Sequence, residues 1–240
     1  WFIMKRELNG YFATPVAYVF IISFLLLTGF STFFVGNFFE RGEADLYPFF
    51  SMHPWIYVLL IPAISMRLWS EERKSGSIEL LMTLPVSTLE AVLGKFLAAW
   101  AFTGLALILN FPLWLTVNYL GTPDNGVIFT GFVGSLLMAG GFLAIGSCIS
   151  ATTKNQVIAF VLSLVVSLIF VLSGYGIVLD FFSSWAPIPL VESISSFSFL
   201  THFEAISKGV IDLRDMFYFA SVIAVWLFAN AVVVNARKAD

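Results

Sequence analysis

The sequence predicts an all-α integral membrane protein with six transmembrane helices. Three observations lead there. Hydrophobic residues make up 59% of the 240-residue chain and charged residues only 11%, a balance outside that of soluble globular domains. Six stretches carry no charge and are long enough to cross a bilayer core about 30 Å thick, which takes roughly 20 apolar residues per helix. They are Leu8 to Phe39, Leu46 to Met66, Phe96 to Pro123, Asn125 to Thr153, Asn155 to Leu179 and Met216 to Ala236. The basic residues also sort by side. With alternate connections on one face, Lys5, Arg6, Arg67, Arg73, Lys74, Lys95, Lys154, Arg237 and Lys238 lie together and only Arg41, Lys208 and Arg214 lie opposite, which predicts that both termini are cytoplasmic.

The elements follow in order as one six-span domain over 1–240, with spans near 14–36, 50–67, 88–119, 127–150, 155–179 and 215–236. Trp1 to Tyr11 mixes aromatic and aliphatic side chains with Lys5, Arg6 and Glu7, the composition of an interfacial helix before Pro15 opens the first span. That span is too long, and too poor in small residues at a cleavage position, to be a cleavable signal peptide. The second span ends in Met66-Arg67-Leu68-Trp69, with arginine and tryptophan at the interface both favour. Ser87-Thr88-Leu89-Glu90 reads as a capping box opening the third helix. From Thr88 to Tyr119 that helix would run roughly 45 Å, so its charged end protrudes. Asn110 and Pro112 predict a kink near mid-span, with Asn110 bonded to a neighbouring helix.

Span four collects Gly131, Gly134, Ser135, Ala139, Gly140, Gly141, Ala144, Gly146 and Ser147, a composition for close helix approach. Span five repeats the device along Ala159, Ser163, Ser167 and Gly174, a ridge suited to a helix or subunit interface or to a pathway wall. Beyond Asp180, Pro187 and Pro189 forbid a continuous helix. The charge-free runs Phe181 to Val191 and Ser193 to Phe203 are too short to span and read as re-entrant or interfacial.

Charge is densest between spans two and three, from Arg67 to Lys95, where four basic and four acidic residues fall together. A charge in the bilayer core costs at least a few kcal/mol, so this segment lies in water or against a soluble partner. Ile78, Leu81, Met82 and Pro85 recur at helical spacing, predicting a short helix from about Ser77 with an apolar stripe opposite Glu79 and Thr83. Gly76 opens it and Pro85 closes it.

Several chemistries are excluded. The one Gly-Lys pair, Gly94-Lys95, has Leu89 where the first glycine of a phosphate-binding loop belongs and Phe96 in place of Ser or Thr. His53 and His202 fall on the outer side without a spaced carboxylate pair, predicting interfacial hydrogen bonding and no zinc site. Cys148 alone permits no internal disulfide or cysteine-based metal site. Ser173-Gly174 resembles part of the rhomboid protease motif, but Val171 replaces its first glycine. No catalytic, cofactor-binding or metal-ligating set is expected; the net charge of −3 says nothing about nucleic acid, and no nucleic acid is expected among the partners.

SEERKSGSIELLMTLPVSTLEAVLGKF resembles the loop after the second span of ABC-2-type transporter permeases. KRELNGYFATPVAYVF, TKNQV and THFEAISKGVIDLRD are similar to the branch containing gliding-motility-associated and NosY-like permeases. The resemblance implies a type V exporter-like fold in the bacterial inner membrane, with an N-terminal interfacial helix and re-entrant helices between spans five and six. It also implies two protomers, the same or homologous, each docked on a cytoplasmic ATPase subunit that binds the ATP and Mg, and leaves room for an extracytoplasmic accessory subunit. The loop would be the coupling helix, with Glu71, Glu72, Arg73, Lys74, Gly76, Ile78, Glu79, Leu81 and Met82 meeting the ATPase, and Ala159, Ser163, Ser167 and Gly174 would face the pathway or dimer axis. The alternative is a channel, carrier or structural anchor with an ordinary loop. Spans without internal charges count against an ion-coupled carrier.

Overall fold

The computed structural model describes residues 2–78 and 87–236, and among these the chain is helical with no strand. Among the described residues five helices are long and apolar enough to cross a membrane, and a sixth span is counted if one pair bent by 70° is taken together. This is an all-α integral membrane protein.

The short helix α1 (Phe2–Phe12) precedes α2 (Pro15–Phe30), which has proline in its first turn. Ala17, Phe20, Phe24 and Thr28 are the buried residues of α2, one stripe at three- and four-residue steps. A π-helical turn (Ser31–Val35) and α3 (Phe38–Arg41) complete this span.

Helix α4 (Tyr47–Ser65) breaks at Met66 and continues as α5 (Arg67–Ser75), so helix persists well into the charged stretch. Gly76, at φ 74°, terminates α5 in the left-handed conformation that glycine adopts without penalty. Ser77 and Ile78 are again helical, while Glu79, Leu81, Met82, Thr83 and Pro85 lie outside the described residues.

Helix α6 (Thr88–Ile108) opens on the expected capping box: the Ser87 hydroxyl accepts from the Glu90 amide, and Glu90 accepts from the Ser87 amide at 2.8 Å. The kink expected at Asn110 separates α6 from α7 (Phe111–Leu120). At the break the Asn110 amide turns to Leu107 O, and the carbonyl of Ala106 is recovered by Asn110 Nδ2 at 3.2 Å. Asn110 Oδ1 accepts from the Thr28 hydroxyl at 2.9 Å, bonding α7's start to α2 as the sequence suggested. Within a bilayer no water would take these groups.

The hub is α8 (Asn125–Ser150), N-capped by the Asp124 carboxylate and packed against α4, α6, and the later helices α9 (Gln156–Leu172), α12 (Phe199–Ser207) and α13 (Leu213–Ala236). Its glycines are where neighbours press closest. A Cβ on Gly131 would meet the Phe50 ring at 2.5 Å, on Gly141 the Phe199 ring at 2.9 Å, and on Gly146 it would strike the Ser65 side chain.

Helix α9 turns by 70° at Ser173–Tyr175 into α10 (Gly176–Ser183), followed by α11 (Ile188–Ser196). The bend passes over α12, where a Cβ on Gly174 would strike the Ser198 hydroxyl. The Ser198 hydroxyl in turn donates to Val171 O at 3.3 Å, a carbonyl at the end of α9. Three short helices therefore stand where two short runs were expected. Helices α10 and α11 bury no residue, whereas α12 buries Phe199, His202, Phe203 and Ile206.

Two histidines depart from expectation. His53 is fully buried among the rings of Phe24, Phe49, Phe50 and Tyr57, because it sits on the inward stripe of α4. His202 is buried too, with Nδ1 2.6 Å from Asp215 Oδ1 and Nε2 3.0 Å from Ser196 O. A paired carboxylate one helix away was invisible to a search along the sequence.

Candidate functional site

The charged end of the bundle is built around α5, whose Leu68, Trp69 and Ser70 are buried. Because α4 and α5 part at Met66, the first amides of α5 need partners from outside the helix. Ser150, the last residue of α8, supplies one: its hydroxyl accepts from the Trp69 and Ser70 amides, both at 3.1 Å, and donates to Met66 O at 2.8 Å. One side chain of the hub thus caps the helix it supports. Arg73 returns the favour one turn on, donating to Ala151 O at 2.6 Å. That places a cation on the C-terminal carbonyls of α8, where the helix dipole favours it.

The opposite flank of α5 is held by a buried lysine. Lys95 on α6 is 2% exposed, with Nζ 2.8 Å from Glu72 Oε1, 3.2 Å from Glu7 Oε1 and 5.3 Å from the centre of the Trp69 ring. Arg6 adds a second cation, 2.7 Å from Glu7 and 3.7 Å from Glu72. A buried ammonium needs such compensation. Burial works to raise the Glu7 carboxyl, but Lys95 and Arg6 together outweigh it and hold the group below its ordinary value.

Helix α1 lies close enough for this because α6 presents Gly94 to it: a Cβ there would meet Ile3 at 2.9 Å. Farther along, Tyr11 stacks on Phe102 with centroids 5.1 Å apart. A cleft of about 150 Å³ remains between α1 and α5, lined by Glu7, Gly10, Tyr11, Thr14, Arg67 and Glu71 among others.

Of the residues singled out from the sequence, Glu72 and Arg73 are structural ties of α5, Glu71 pairs with Arg67 at 3.4 Å, and Gly76 is its terminator. Lys74 is exposed. Ile78 is half-buried against the protein's own core, so it is not wholly free to enter a partner's groove. Glu79, Leu81 and Met82 are outside the described residues. Sequence reasoning missed Glu7, Lys95, Trp69 and Ser150. A charged residue one position beyond Gly94, at the edge of an apolar run, was the one available signal for Lys95.

The ridge of α9 lies against its own chain. Ala159, Ser163 and Ser167 are fully buried inside the chain, and Gly174 abuts Ser198 and Thr201. Small side chains let α9 approach α8 and α4, so within the chain the ridge serves as a helix interface. The exposed face of α9 is the other one, including Val157, Val161, Val165 and Ile169.

A family model for the ABC-2 family transporter proteins matches residues 31–235, a range that contains α5, Lys95 and the hub helix. The chain belongs to that family. It is a multi-pass membrane protein of that family. Among curated proteins, Heme exporter protein B of Rhodobacter capsulatus is 35% identical to this ABC-2 protein over 101 residues, covering 36% of the chain. The match spans 45% of that relative, less than half of its length.

Proposed function

We propose that this ABC-2 permease is the passive transmembrane half of a dimeric, ATP-driven exporter, and that α5 with the segment after it transmits motion from a separate cytoplasmic ATPase. The reading includes a type V exporter-like arrangement of six spans in the bacterial inner membrane, both termini cytoplasmic and α1 at the interface. Nucleotide and Mg belong to the ATPase in this scheme. The observation that carries it is the double anchoring of α5. A transmitting element must be stiff and tied to what it moves, and α5 is a helix of nine residues, roughly 14 Å long. It is fixed to the hub by Ser150 and Arg73 and to α6 and α1 by Lys95. A loop that served only to join two spans would need none of these ties. The heme exporter of R. capsulatus to which the chain is similar makes heme the first cargo to test.

The test is co-purification from native membranes followed by ATPase and export assays. Leu81→Glu, which places a carboxylate on the stripe expected from the sequence, should abolish ATPase association or uncouple hydrolysis from transport, and Thr83→Ala should do much less. Ser150→Ala should keep the ATPase bound while weakening coupling. Full association and normal export in Leu81→Glu would overturn the proposal.

A further inference from the structure

A cleft of about 410 Å³ opens between the end of α5 and the loop joining α8 to α9, lined by Lys74, Thr153, Lys154, Asn155, Gln156 and Val157. Two lysines share it. Among the described residues neither forms an ion pair, and the acids just before Lys74 in sequence, Glu71 and Glu72, are engaged by Arg67 and Lys95. The Asn155 side chain caps the amides of Val157 and Ile158, so the positive character of the cleft comes chiefly from the lysines. Val157 belongs to the cleft and also begins the exposed aliphatic face of α9, which continues through Val161, Leu162, Val165 and Ile169. From Val157 to Ile169 a helix rises roughly 18 Å, a little more than one leaflet of hydrocarbon.

We propose that this cleft is a binding site for an anionic phospholipid, with its phosphate between Lys74 and Lys154 and one acyl chain along the exposed face of α9. Cationic pockets at the ends of spanning helices attract anionic headgroups, and the membrane supplies them at high local concentration. The aliphatic track decides for a lipid over a free phosphate ion, because a free anion would make no use of it. The site depends on the chain spanning a membrane and not on its coupling to an ATPase, so the test uses the isolated permease.

The purified full-length chain is exposed to equal amounts of phosphatidylglycerol and phosphatidylcholine with matched acyl chains, and retained lipid is counted by native mass spectrometry. Two lysines near a headgroup predict an enrichment of about thirtyfold for phosphatidylglycerol. Lys74→Gln/Lys154→Gln should bring the ratio close to one, while Lys5→Gln/Lys208→Gln should leave it high. Equal retention of both lipids by the wild-type chain, as expected if the cleft instead receives an acidic side chain of a protein partner, would overturn the proposal. So would a preference that survives in the Lys74/Lys154 double variant. Displacement of phosphatidylglycerol by millimolar inorganic phosphate would identify a free-anion site and equally refute the lipid.

Discussion

Replacing Lys95 with methionine should release α1 from the bundle. The long apolar stem is kept and the ammonium removed, so packing changes little and charge changes fully. What is left is Glu72 and Glu7, which shared the ammonium at 2.8 and 3.2 Å. Removing one member of a fully buried pair costs about 3–5 kcal/mol. Here each carboxylate side chain is 19% exposed and Glu7 keeps Arg6, so the lower end applies, about 3 kcal/mol. Loss of the contact with the Trp69 ring acts in the same direction. At about 1.4 kcal/mol per decade, local opening of α1 should rise about a hundredfold. Hydrogen exchange of residues 2–12 in lipid nanodiscs reads this directly, with α8 as the internal reference. The double variant Glu7→Gln/Lys95→Met should recover part of the protection, because it removes one of the stranded carboxylates. Lys208→Met, which breaks the exposed pair with Glu204, should leave exchange unchanged, since solvent screens such pairs. Exchange of α1 within threefold of wild type in a folded Lys95→Met protein would refute the argument that Lys95 holds α1 and α5 together.

Acid should open the same joint. Glu7 sits below its ordinary value of 4.5, so its contribution is complete above that pH and disappears as pH falls through the lowered value. A fluorophore on exposed Asn9 should report a flat signal from neutral pH down to about 5 and a step below it, and Glu7→Gln should remove the step. Gly146→Ala should lower the melting temperature sharply, because its methyl would overlap the Ser65 side chain and overpacking costs about 1–3 kcal/mol or more. Adding Ser65→Gly should recover part of the loss, while Gly29→Ala, with open space around it, should be neutral or stabilising. Thr28→Val should cost about 0.6 kcal/mol, the average for a hydrogen bond between membrane helices, measured by unfolding in mixed micelles. A cost above 3 kcal/mol there would mean that Asn110 relies on Thr28 far more than the geometry indicates.

Much of the architecture is a property of the sequence alone, because its causes are local. Apolar length defines which segments can span, Ser87 and Glu90 lie within one turn and cap α6, and Asn110 with Pro112 breaks the third span because proline removes an amide that the helix needs. The density of charge from Arg67 to Lys95 marked the end of the bundle where the site lies, and the small residues of span four marked a helix with many close neighbours. The tertiary structure decided which neighbours those are. Glu7 and Ser150 are far in sequence from the residues they hold, and no periodicity along the chain links them. The same limit misplaced His53 and His202 at an interface, since whether a polar residue near a helix end faces solvent or the core depends on the rotation of that helix against its neighbours. The ridge from Ala159 to Gly174 is the clearest case. Small side chains announce that something comes close, and only the packed structure identifies it as α8, α4 and α12 of the same chain, because the composition of a helix face is set by the size of its partner and not by which chain the partner belongs to.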